Sequence, residues 1–131
     1  MAGKPPWFTD QAWEVIQAAK SIALSEEAGK IGLRHLLQGY ALKSGKSMRK
    51  TLLSLGIGEE EADKLIRSLI PDRPLPDPSR SPMPLSSQAE FLIKRMMEET
   101  NNQVSLEHLW AGICMSMEEL EEYLLKLGWA K

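Results

Sequence analysis

The chain has 131 residues, 43% of them hydrophobic and 26% charged, with a net charge of −2 and one cysteine, Cys114. That length supports a core without staples, and a lone cysteine excludes an internal disulfide and suits a reducing compartment. No run nears the roughly 18 to 20 apolar residues of a membrane span and MAGKPP is not a signal peptide, so a soluble intracellular protein is expected.

In chain order, Thr9 reads as the N-cap of a first helix that runs to about Leu24, its hydroxyl placed to accept from an orphan backbone N–H. Ala12, Val15, Ile16, Ala19 and Ala23 recur at helical spacing and give it one buried face. A second helix, Leu33 to Lys43, buries Leu33, Leu36, Leu37, Tyr40 and Ala41. A third, Ser47 to Leu55, turns Met48, Leu52 and Leu55 inward, and Gly56 stops it. A fourth, Glu59 to Leu69, opens on three acids at the favourable end of its dipole and buries Ala62, Leu65, Ile66 and Leu69. Residues 71–84 then hold six of the eight prolines, which predicts an extended, stiff connector. Three more helices follow: Ser87–Thr100, Leu106–Met115 and Met117–Leu127, with Gly128 closing the last. No strand signal is present.

The second half rewrites the first. Phe8-Thr9-Asp10-Gln11-Ala12 matches Leu85-Ser86-Ser87-Gln88-Ala89, and the stripe Ala12, Val15, Ile16, Ala19 matches Ala89, Leu92, Ile93, Met96. Gly32 to Ala41 matches Ser105 to Cys114, with His35 over His108 and Gly39 over Gly112. Met48 to Ile57 matches Leu120 to Trp129. The offset drifts from 77 to 73 to 72, so insertions fall between helices. Duplicated helical units pack on one another because a single unit cannot bury its own apolar faces. The expected organisation is one domain: repeat one over 8–70, linker 71–84 and repeat two over 85–129. The fold class expected is all-α, four helices plus three, related by a pseudo-twofold axis. Glycine inside a helix costs about 1 kcal/mol relative to alanine, so Gly39 and Gly112 point to close helix approach.

Charge is uneven. Residues 1–57 carry 8 Lys and Arg against 4 Asp and Glu, and residues 85–131 carry 4 against 8. A nucleic-acid binder concentrates more positive charge than this, so no nucleic acid is expected as partner. Gly45-Lys46-Ser47 lacks the glycine spacing and the strand-to-helix setting of a phosphate loop, and no cofactor is expected. His35 and His108 have no Cys or His near them to complete a metal site, and as helix-start residues they are expected to pack and hydrogen-bond. Cys114 and His108, six residues apart on one helix, point to opposite sides, so they make no catalytic pair. Cys114 takes the place of Ala41 on the apolar stripe, a buried position. Trp110 matches Leu37 and is expected in the core. Trp13 matches Glu90 and is expected to point outward, so Trp7, Phe8 and Trp13 form a candidate protein contact unless the N-terminal arm covers it.

The pattern FT-x-x-A, a helix, G-x-x-HLL-x-G and a helix ending in LLxLG resembles the Clp N-terminal repeat, found in tandem as the N-domain of Clp ATPases, over Phe8 to Trp129. The resemblance implies no chemistry. It implies capture of substrates or adaptors for a Clp ATPase and protease, by a stand-alone accessory or adaptor subunit with the ATPase on another polypeptide or, alternatively, by a substrate-recognition N-domain that is a fragment of a Clp ATPase, in bacterial cytoplasm or plastid stroma. In some relatives a Thr at the first helix start and a Glu of the histidine stretch bind phosphoarginine. Carried over, the second such site is Ser86 and Glu107. The first would be Thr9 and Arg34, where a guanidinium replaces the acid and the site is expected to be lost.

Overall fold

A computed structural model describes residues 8–54, 56–78, 83–101 and 103–115. The first helix, α1 (Asp10–Ser25), starts where Thr9 Oγ1 accepts from the backbone N–H of Ala12 at 3.3 Å. Such a cap stabilises by about 1 kcal/mol. Ala12, Val15, Ile16, Ala19 and Ala23 are all buried. The sequence predicts two helices between Leu33 and Leu55, and the stretch α2 (Leu33–Ser54) is two helical segments joined end to end. It is broken only at Ser44, whose φ of −139° and ψ of 42° are not helical. Met48 and Leu52 beyond the break reach the core, so the second segment turns its apolar face inward as the first does. Gly45-Lys46-Ser47 lies inside this element.

The third helix, α3 (Glu59–Leu69), buries Ala62, Leu65 and Leu69, while Ile66, expected inward, is half-buried at the edge. The described parts of the linker carry no helix. The helices α4 (Ser87–Glu99) and α5 (Leu106–Met115) follow the sequence reading closely, and Ser86 Oγ caps α4 by accepting from Ala89 N–H at 3.2 Å. The seventh predicted helix over Met117–Leu127, with Leu55, Gly128, Trp129 and the Cys114 side chain, lies outside the described residues, as does Trp7. The described elements are helical, joined by two isolated β-bridges, so the fold is all-α.

Those two bridges fasten the first half to the second. Phe8 pairs with Val104 and Ile31 with Leu85, both parallel. Thr9 N–H donates to the Val104 carbonyl at 2.9 Å, and Ser86 N–H donates to the Ile31 carbonyl at 2.8 Å. Positions matched in the sequence alignment therefore make matched bonds. The same holds at the histidines, where Gly32 N–H donates to His35 Nδ1 at 2.9 Å and Ser105 N–H to His108 Nδ1 at 3.2 Å. Both first helices of the pairs end in a left-handed residue, Glu27 at φ 57° and Asn101 at φ 55°.

Gly39 explains how closely α1 and α2 sit. A Cβ there would lie 2.7 Å from the Val15 carbonyl oxygen and 2.8 Å from Ala19 N, both backbone atoms that cannot step aside. One core cluster joins Val15, Leu36, Leu37 and Tyr40 to Ile93, Met96, Leu109 and Ile113. Across the junction Trp110 stacks on Tyr40, with centroids 4.6 Å apart and planes 18° apart, while its Nε1–H donates to Thr51 Oγ1 at 3.0 Å. Trp110 is half-buried against the core, with its polar tip satisfied, as aromatic residues at junctions tend to be.

Candidate functional site

The helical period puts Ala89, Leu92, Ile93 and Met96 on the inner face of α4 and leaves Ser87, Phe91, Arg95 and Glu99 outside. Between that outer face and the start of α5 lies an open groove of about 580 Å³. Its walls include Phe91, Leu92, Met96, Glu99, His108 and Gly112. Gly112 brings the helices together at its floor, since a Cβ there would lie 2.8 Å from Met96 Sδ. Phe91 stands at the rim with 67% of its surface exposed, and among the described residues it is the large apolar side chain left in water. Its counterpart in the first half is Glu14. The floor is apolar, while Arg95 and Glu99 pair across one turn at 3.5 Å, an exposed contact of small worth.

The corresponding face of the first half is filled. Gln38, counterpart of Ala111, is buried and donates from Nε2 to the Leu69 carbonyl at 3.1 Å. Ala18 and Ile22, at the positions of Arg95 and Glu99, are also buried. Beside them, Glu26 caps α1 and gathers three partners. Arg34 donates to both its carboxylate oxygens, in one case at 3.0 Å, and Arg73 Nη2 approaches at 3.4 Å. His35 Nδ1 accepts from Gly32 N–H, a group that can only donate, so the proton of the neutral ring sits on Nε2 and faces Glu26 Oε1 at 3.2 Å. The Arg34 bonds hold the Glu26 carboxyl down to about 2 against the opposing push of burial, and His35 adds to the lowering. Burial pushes His35 below the usual histidine value, only partly offset by Glu26.

The residues singled out from sequence are scattered over this surface. Thr9 and Ser86 are engaged as helix caps. Arg34, where an acid would be needed for a guanidinium ligand, is tied to Glu26. Glu107 is exposed in the first turn of α5, and neither it nor Ser86 lines the groove. Trp13, expected to point outward, is half-buried: its ring lies 5.8 Å from that of Phe8, which is itself buried, and both join the core. The chain entering α1 therefore covers it. His108, expected to pack and hydrogen-bond, bonds to Ser105 but is exposed and lines the groove; by the matched positions α4 also ends three residues earlier than α1. Phe91 was missed. Its signal is plain in retrospect: a large apolar residue lying off the stripe of its own helix.

The model of the Clp repeat (R) N-terminal domain matches residues 7–127. The chain belongs to that family. The Clp repeat domain fold also appears in the solved structures: the crystal structure of the Hsp104 N-terminal domain from Candida albicans is similar with a TM-score of 0.66 and 15% sequence identity. The likeness covers 94% of this chain and 83% of that one. A comparison with curated proteins found no match.

Proposed function

We propose that this Clp repeat domain is a non-catalytic polypeptide-binding module of a Clp chaperone–protease system, and that the groove between α4 and α5 is where it grips. The observation that carries this reading is Phe91, exposed at the rim of an open apolar groove that the first half keeps filled. An exposed aromatic beside a concave surface is the usual anchor of a protein contact. The occupant is a client or adaptor chain presented to a Clp ATPase or protease core, with this chain as an accessory subunit in a reducing compartment, bacterial cytoplasm or plastid stroma. Neither nucleic acid nor membrane has a part. Binding of a permanently unfolded protein, reduced and carboxymethylated lactalbumin, tests the groove. Phe91→Asp should weaken it by about tenfold, as loss of one anchor does. Unchanged binding in that variant would remove the groove from the reading, and a pull-down recovering no Clp subunit would remove the accessory role.

A second reading rests on Glu107, an exposed carboxylate near the start of α5 able to fork a guanidinium. With Ser86 it would hold phosphoarginine. Calorimetry on the wild type and Glu107→Ala decides it, since absence of heat in the wild type leaves the site without a ligand.

A further inference from the structure

The filled face of the first half shows what kind of chain such a groove holds. Along that face runs the protein's own chain from Leu69, the last residue of α3, to Arg73. Leu69 offers a backbone carbonyl to Gln38, and Ile70 packs on the core. Three residues on, Arg73 reaches the end of α1, donating from Nε and Nη2 to Ser25 Oγ at 3.0 and 2.9 Å and approaching Glu26. The segment is thus two apolar residues and a turn of chain ending in a guanidinium, seated where the last carbonyls of a helix concentrate negative potential.

The second half presents the corresponding face, about one helical turn shorter, without an occupant from the described residues. Ala111 is exposed where Gln38 is covered, and Arg95 and Glu99 are exposed where Ala18 and Ile22 are buried. Where α1 ends on Ser25 and Glu26, α4 ends on Glu99 and Thr100, and both of these line the groove. Glu98 is a further exposed acid at that end. Arg95 holds Glu99 only through an exposed pair at 3.5 Å, which an incoming guanidinium can displace at little cost.

Resting on the groove reading above, we infer that the groove selects apolar client segments followed by an arginine, the apolar residues lying against Phe91, Leu92 and Met96 and the guanidinium docking on Glu99 at the end of α4. The groove therefore reads unmodified basic–apolar sequence, a specificity separate from phosphoarginine recognition.

The natural probe is a synthetic peptide with the sequence of residues 68–75, SLIPDRPL, titrated into the isotope-labelled full chain and followed by amide chemical shifts. The expected result is movement at the end of α4 and the start of α5. Binding by the peptide carrying Arg73→Glu should be about fivefold weaker, the upper range of an exposed ion pair. Glu99→Lys in the protein should invert that preference, and Glu99→Gln should abolish it. Equal affinity for the two peptides, or shifts confined to other surfaces, overturns the inference. If both peptides fail to bind, it is overturned as well, while Phe91-dependent binding of unfolded lactalbumin would leave the groove reading standing.

Discussion

Glu26 shows how one carboxylate can hold three pieces of chain. It caps α1, takes both nitrogens of Arg34 from the start of α2, faces the Nε2–H of His35 and draws in Arg73 from the linker. The folded carboxyl titrates at about 2 against an ordinary 4.5, so its stabilisation is complete above 4.5 and is lost as pH falls toward 2. His35 is also held below its ordinary 6.5, so the unfolded chain takes up that proton first and the fold weakens as pH drops below 6.5. Acid should therefore destabilise the protein in two stages. Urea midpoints measured from about pH 7.5 to about 3 should show His35→Gln flattening the upper stage and Glu26→Gln the lower one. With solvent screening of a partly exposed group, the Glu26 stage should be on the order of 1 kcal/mol. A wild-type curve flat below 4.5 would show that the cluster adds nothing.

At the scale of helices, the matched glycines do different work. At Gly39 the neighbours are backbone atoms of α1, so Gly39→Ala must push two helices apart, at about 1–3 kcal/mol even after alanine's better helix propensity. At Gly112 the neighbours are the ends of the Met96 and Leu92 side chains, which can rotate away. Gly112→Ala should therefore stay within about 1 kcal/mol of wild type, and thermal unfolding of the two variants side by side measures the contrast. Equal losses would mean that the approach at Gly39 is no tighter than at Gly112. Helix positions were legible because Thr9, Ser86 and the 3.6-residue stripes are local signals. The break at Ser44 was legible as the gap between the two predicted helices, although neither a cap nor a proline marks it. The groove was not legible, because it depends on what fails to cover Phe91, Ala111 and His108, and covering is a property of distant chain. The same limit left Trp13 open between an outward contact and cover by the N-terminal arm, and Phe8 packing on its ring decides for cover.

Over the whole molecule, the backbone bonds from Thr9 to Val104, Ser86 to Ile31 and Ile31 to Pro84 join segments far apart in sequence. These amides should exchange with solvent only on global unfolding, as slowly as those of Leu36 and Leu109 in the helices. Exchange many times faster, measured by hydrogen–deuterium NMR, would show the halves parting while each stays folded. The crossed bridges also change the standing of the proline-rich connector. Once Phe8 lies along Val104 and Ile31 along Leu85, covalent continuity between the halves is no longer what holds them. A single proteolytic nick between residues 71 and 84 should leave two fragments that migrate as one particle until denaturant separates them.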